Sequence, residues 1–298
     1  MNRCMTSLGS LLLLTVSIMA SAATWIVDFT GKPDDFRLER DNQTLPVEIY
    51  RQLQPNDRLS VLADDSILSL KQDDGSRIEI QKNNSPYVIR DQGKPPKALD
   101  NLRHGFCAWL TKQRLEDADR PVIGIYTRGE PVPPISLPLA LGAKVRLRAG
   151  TRPLYLAWQG GEPPYQVRLT NAAGEELWKQ MGIAAPGGNT QPFKTAPVPL
   201  TPGQYRLTIR DAQRQATVAV KVVPASPLPP PATLAGIADT DIRQTLEALW
   251  LASQGEIWWL EAYQQVMPLE GQHRPARLLR YSLEKGQAPT AVKTDGLN

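Results

Sequence analysis

The sequence predicts a mainly β protein: a small β-barrel or curled sheet carrying one helix, then a β-sandwich, then a C-terminal helical hairpin. Three observations lead there. Between Leu154 and Val223 apolar and polar residues alternate at period two, in LYLAW, YQVRL, QYRLTI and TVAVKVV. That is the pattern of strands with one buried and one wet face. Further upstream, SILSLKQ and SRIEIQ are joined by Asp73-Asp74-Gly75, and Asp-Gly between two alternating runs is a hairpin turn. Over 97–116 and again beyond Asp239 the apolar residues recur at three- and four-residue steps, the period of an amphipathic helix.

The chain opens MNRCMTSLGSLLLLTVSIMASAA. Arg3 supplies a positive start, Leu8 to Met19 an apolar stretch, and Ala20-Ser21-Ala22 a small-residue cleavage motif. Residues 1–22 therefore read as a secretory signal peptide, shorter in its apolar part than the ~20 residues a membrane span needs. No later stretch is apolar for long enough to cross a bilayer, so the mature chain is expected in the periplasm. Cys4 leaves with the leader and only Cys107 remains, so no internal disulfide can form and packed cores must hold the fold. Hydrophobic residues at 41% and charged residues at 21% give an ordinary globular composition. The net charge of +4 is spread along the chain and does not point to nucleic acid. The 27 prolines are concentrated in a few places, which marks stiff joins between compact units.

From Thr24 to about Ile89 the runs TWIVDF, VEIYRQL, RLSVLA, SILSLKQ, SRIEIQ and YVIRD read as strands. Within PNDRLSVLADDSILSLKQDDGSRIEIQKNNS, the residues Asp57, Leu59, Leu70, Asp74, Gly75, Ser76 and Ile80 stand in the order of a G-D-x-L approach, a strand, D-G-S and a second strand. This segment, about 24–92, resembles the FecR-type periplasmic domain, with Asn56 in place of the usual glycine. The resemblance implies a β fold and an envelope location. Members that regulate across a membrane also carry a cytoplasmic anti-sigma segment and a membrane helix, and no stretch here reads as either. Leu99, Leu102, Phe106, Trp109 and Leu110 then mark a helix over 97–116 whose apolar face should pack on the sheet. Val122, Ile123, Ile125 and Tyr126 suggest one more strand, which closes a first unit at 24–130, and PVPPISLP falls in a linker at 131–139.

The sandwich is expected over 140–223. Trp158, Gly160, Gly161, Pro164, Tyr165 and Val167 form one motif, and Leu200, Pro202, Gly203, Tyr205, Leu207, Ile209 and Asp211 form a second. Together they resemble the immunoglobulin-like repeats of bacterial envelope proteins. The resemblance implies a fold and no activity, with Trp158 at the centre of the core and the Tyr205 hydroxyl reaching backbone. A second proline-rich linker at 224–233 leads to a helical hairpin at 234–285 and a flexible tail at 286–298. Asp239-Thr240-Asp241 offers an N-cap. Ile242, Leu246, Leu249 and Trp250 mark a first helix, which Gly255 ends. Ile257, Leu260, Tyr263 and Met267 mark a second, and a third runs from Pro275 to Lys285. The hairpin is weakly similar to a single tetratricopeptide unit. One such unit cannot bury its apolar face alone, so it must dock in cis or in trans.

Chemistry-bearing constellations are sparse. His104 and Cys107 stand at i and i+3 on one helix, where a thiolate–imidazole pair can be drawn, which makes a Cys/His hydrolase one alternative. A buried structural cysteine is the simpler reading, because a helix-interior thiol lacks the field that lowers its pKa. Asp64-Asp65 and Asp73-Asp74 could meet around calcium or stand as solvated turn residues, and the spacing suits no zinc site and no cofactor. Two features suit recognition. Lys144, Arg146, Arg148, Arg168, Arg206 and Arg210 fall on outward strand positions of the sandwich, a basic face if one sheet holds them all. Trp250, Trp258, Trp259 and Tyr263 crowd the terminal helices, more aromatic surface than two helices can bury between them. The expected protein is a non-enzymatic envelope module for protein interaction or scaffolding. An envelope glycan or other anionic ligand bound through the sandwich is the second alternative.

Overall fold

The computed structural model describes residues 23–90, 99–115, 132–141, 144–184, 192–224, 228 and 230–289. The signal segment expected at 1–22, the strand expected at Val122–Tyr126 and tail residues 290–298 lie outside the described residues. With 37% strand and 26% helix the protein is mainly β, with its helices gathered toward the C-terminus.

Among its described residues the first unit contains seven strands: β1 (Thr24–Thr30), β2 (Phe36–Arg40), β3 (Gln43–Leu45), β4 (Arg58–Val61), β5 (Ile67–Gln72), β6 (Arg77–Ile80) and β7 (Tyr87–Val88). They form two small sheets, ordered β1-β5-β6 and β3-β2-β4-β7, rather than one curled sheet. The reason lies in VEIYRQL, which does not form the expected strand. Tyr50 has φ +66°, a left-handed conformation that a bulky side chain rarely adopts. The irregular segment still hydrogen-bonds along β1, through Tyr50 N–H to Ile26 O (2.6 Å), Ile26 N–H to Arg51 O (3.0 Å) and Leu53 N–H to Thr24 O (2.8 Å). On this edge Thr24 and Ile26 find partners without a further strand.

The Asp-Gly turn joins β5 to β6 as expected, with Gly75 at φ +86° and its N–H donating to Gln72 O at 2.8 Å. Asp57 is fully buried. It accepts from Arg40 Nε (2.8 Å) and Nη2 (2.6 Å) and from Gln54 N–H (2.8 Å), so its charge is matched inside the fold. Helix α1 (Leu99–Leu115) buries Phe106, Cys107 and Leu110. Thr111 Oγ1 accepts from Ile49 N–H at 3.1 Å, which ties the helix to the β unit.

The second unit holds β8 (Lys144–Arg148), β9 (Gly150–Arg152), β10 (Tyr155–Leu156), β11 (Tyr165–Asn171), β12 (Glu176–Ile183), β13 (Phe193–Lys194), β14 (Val198–Leu200), β15 (Gly203–Arg210) and β16 (Gln215–Val223). Five of these make one sheet, ordered β12-β11-β15-β16-β8, while β10-β13 and β14-β9 are short pairs. Pairing is antiparallel except between β16 and β8. The alternating residues bury as predicted: Val167, Leu169, Leu207, Ile209, Val218, Val220 and Val222 from the long sheet, Leu154, Leu156, Val198 and Leu200 from around the short pairs. Trp158 lies among them, edge-on to Tyr165 (5.4 Å) and Phe193 (5.9 Å). The Tyr205 hydroxyl donates to Thr201 O at 2.8 Å, closing the expected corner.

The proline-rich stretch before β8, expected as a linker, is packed along the sandwich. Ser136 and Gln159 exchange two backbone hydrogen bonds of 2.9 Å, and Gly161 N–H donates to Pro133 O at 3.0 Å. This close approach needs Gly160, which has φ +74° and where a Cβ would stand 2.2 Å from Pro134 O.

After Pro231, helices α2 (Thr240–Ser253), α3 (Trp259–Val266) and α4 (Arg274–Glu284) follow. Asp239 caps α2 by accepting from Ile242 N–H at 2.9 Å. Gly255, at φ +111°, ends the turn that leads into the 3-10 segment Glu256–Trp258 ahead of α3. These helices dock in cis. They lie against β1 and α1 on one side and against β8 on the other, so the C-terminal segment joins both β units.

Candidate binding face

The basic residues of the sandwich are brought together because β8, β11, β15 and β16 belong to the same sheet. Residues paired across strands share a face, so the register gives the layout. Arg168 stands opposite Lys179 on β12 and Thr208 on β15, and Thr208 opposite Thr217. One row further, Arg206 faces Thr170 and Ala219, and Ala219 faces Lys144. Lys221 stands between Gln204 and Arg146. Arg210 lies between Gln166 and Gln215, and its Nε donates to Gln166 Oε1 at 2.7 Å.

Lys144, Arg168, Lys179, Arg206, Arg210 and Lys221 are all exposed on this face. Glu176 is the one carboxylate in these rows, 3.9 Å from Lys179. Lys179 and Lys221 complete the face and were not singled out from the sequence. Lys221 lies in an alternating run, but Lys179 sits on β12, where ELWKQMGI shows no clear alternation. At the open edge of the sheet, Leu177 and Met181 on β12 are 39% and 64% exposed, next to this cationic field.

Two of the predicted arginines are used otherwise. Arg146 is half-buried with its guanidinium over the Trp258 ring, 5.4 Å from the centroid. Arg148 donates its backbone N–H to Glu261 Oε2 at 3.0 Å, and its Nη2 points to Leu228 O at 3.4 Å. Both lie on β8, the edge strand that the 3-10 segment Glu256–Trp258 and α3 cover, so they belong to a joint and not to the open face.

The aromatic expectation is corrected in the same way. Trp250, Trp258 and Trp259 are buried to 8%, 3% and 8% exposure and Tyr263 to 0%. Trp259 Nε1 donates to Ala252 O at 3.1 Å and the Tyr263 hydroxyl to Glu284 Oε1 at 2.6 Å. The rings that a lone hairpin could not cover are covered by its own third helix and by the sandwich. Cys107 is likewise buried at 2% exposure, and the side chain of His104 lies outside the described residues. Among the described residues no three His, Cys, Asp or Glu side chains gather as a metal site. The turn aspartates have protein partners: Asp64 pairs with Lys82 at 3.0 Å, and Asp74 accepts from Ser76 N–H at 2.8 Å.

The joints hold the face in place. On the sandwich side, Glu261 of α3 takes both Nη groups of Arg152 and the Arg148 N–H. Gln264 binds Tyr155 at both backbone groups, accepting from its N–H at 2.7 Å and donating to its O at 2.8 Å. On the other side, Lys71 of β5 lies between Asp239 (2.8 Å) and Asp241 (2.7 Å). The His273 Nε2 and the Tyr50 hydroxyl share a hydrogen bond, and the two rings stack at 5.7 Å between centroids. A polar cleft of ≈ 230 Å³ opens beside His273. Within its lining Arg274 pairs with Asp28 at 3.2 Å, Glu270 pairs with Arg280, and Arg77 donates to Gln272 O at 2.7 Å.

Burial and the nearby Lys71 ammonium push the His273 imidazole down to about 4, with Arg77 acting the same way and Asp241 and Asp239 against it. The unfolded imidazole takes its proton near pH 6.5. Below that pH the unfolded chain gains a proton that the folded chain refuses, so this contribution is complete above about pH 6.5 and lost as pH falls toward 4. Its full size is about 3 kcal/mol. Urea midpoints measured from pH 7.5 to 4 are expected to fall across that window, and His273→Gln to flatten the fall.

No protein-family model matches the chain, and no curated protein matches it.

Proposed function

We propose that the chain is an exported, non-enzymatic binding module of the cell envelope that holds an acidic protein partner on the outer face of its five-stranded sheet. The observation that carries this reading is the set of six exposed cations on that face, Lys144, Arg168, Lys179, Arg206, Arg210 and Lys221, beside one carboxylate, Glu176. Clustered like charge costs self-repulsion, which an anionic partner relieves while its encounter is steered by the same field. Leu177 and Met181 at the rim favour a protein over a glycan, because apolar side chains gain only from apolar surface. The signal-like leader supports a periplasmic location. The joints support a scaffolding role, since they fix the face relative to the first β unit.

The test is binding of the full mature chain to polyglutamate and to neutral dextran, read by fluorescence anisotropy over a salt series. Polyglutamate is expected to bind, neutral dextran not, and affinity to fall with salt. The triple variant Arg168→Glu, Arg206→Glu, Lys221→Glu is expected to lose about 100-fold or more, at ~1 kcal/mol per cation removed from an anionic surface. Equal binding by the triple variant, with an unchanged melting temperature, would remove the reading.

A further inference from the structure

We infer that Ala23 is the first residue of the exported chain, and that its α-ammonium pairs with Asp73 to form a lock the fold gains only when the leader is cut. Ala23 lies at the head of β1 and is buried at 8% exposure, followed by Thr24 at 0% and Trp25 at 2%. Its nitrogen is 2.9 Å from Asp73 Oδ2, and its carbonyl accepts from Asp73 N–H at 3.0 Å. The other carboxylate oxygen, Asp73 Oδ1, accepts from Trp25 Nε1 at 3.1 Å. Asp73 stands at the β5–β6 turn, so one carboxylate ties the head of β1 to the hairpin that pairs with it. Independently, Ala20-Ser21-Ala22 is the small-residue motif after which a leader is cut, and that places the cut at the nitrogen Asp73 receives.

The chemistry of the cut changes this contact. In the precursor the Ala23 nitrogen is a neutral amide with one hydrogen. Hydrolysis of the Ala22–Ala23 peptide bond consumes one water, leaves a carboxylate on Ala22 and frees an amine at Ala23 that is protonated at neutral pH. The neutral donor becomes a cation with three hydrogens facing an anion in a partly buried site, and a charge-assisted hydrogen bond is about twice as strong as a neutral one. The first β unit is therefore held more weakly in the precursor than in the mature chain.

The inference rests on the export reading and is independent of the binding face. Intact-mass analysis of protein recovered from the envelope fraction is expected to give a chain beginning at Ala23. That chain should melt about 2–4 °C above one preceded by Gly-Ser, which displaces the charge by two residues. Asp73→Asn should lower both chains and abolish the difference between them. Should that variant fail to fold, α-amino dimethylation, which keeps the charge, and acetylation, which removes it, are expected to separate in the wild-type chain, with only acetylation lowering the melting temperature. A start elsewhere than Ala23 overturns both the leader boundary and the lock. A start at Ala23 with equal melting of the free and extended chains overturns the lock alone.

Discussion

Lys71→Met is expected to destabilise the folded chain by about 3–5 kcal/mol. Lys71 is 5% exposed and its Nζ is shared by Asp239 and Asp241 on the far side of a joint that spans most of the sequence. Methionine fills much the same volume, so packing is nearly kept and the loss is electrostatic. Two carboxylates are left facing each other without their cation, and Asp239 is only 5% exposed. Asp239 still caps α2, which limits the damage to the joint rather than to the helix. Adding Asp239→Asn retains a capping side chain while removing one charge. The double variant is therefore expected to be more stable than the sum of the two single losses predicts. Urea unfolding at pH 7 measures all three. Lys71→Met should also raise the pH at which His273 protonates, because the ammonium that disfavours the imidazolium is gone.

Glu261→Ala is expected to cost a similar amount, about 3–5 kcal/mol, on the opposite side of the helices. Glu261 is 1% exposed and binds both Nη groups of Arg152 and the Arg148 backbone N–H together. Alanine leaves the partly buried Arg152 cation with only Arg148 O, at 3.3 Å, and the Arg148 N–H without its acceptor, each with its own desolvation cost. Glu261→Gln keeps an acceptor of the same shape and is expected to lose less than half as much. A functional sign accompanies the loss. With this joint open, α3 no longer holds the β8 edge and Trp258 is uncovered beside Arg146. Tryptophan emission should shift to the red and acrylamide quenching should rise for Glu261→Ala well below its unfolding midpoint. Unchanged quenching with full loss of stability would mean that the sandwich and the helices unfold as one unit.

Much of the local structure was legible in the sequence, because its causes are local. The Asp-Gly turn, the alternation of β11, β15 and β16, the Asp239 cap and the Gly255 break each depend on residues within a few positions of one another. What covers each face was not legible. Arg146, Arg148 and Arg206 alternate alike, yet Arg206 is exposed while Arg148 is bonded to Glu261, 113 residues away. Lys71 ends a strand as an ordinary polar residue would, and its partner Asp241 is 170 residues off. For the four aromatics of the terminal helices the sequence left cover in cis or in trans open, and the cover is the chain itself. Tyr50 shows a further limit: VEIYRQL has strand composition, and a single left-handed residue turns it into an irregular brace along β1.

The most direct measurement is residue-level labelling of lysine and arginine side chains in the folded chain, read by mass spectrometry with and without bound polyglutamate. Protection is expected at Lys144, Arg168, Lys179, Arg206, Arg210 and Lys221. The joint residues Lys71, Arg148 and Arg152 should label slowly in both states. Protection centred on Arg77 and Arg277 of the cleft, or rapid labelling of Lys71 and Arg152 in the free chain, would contradict an outward basic face held by helices docked in cis.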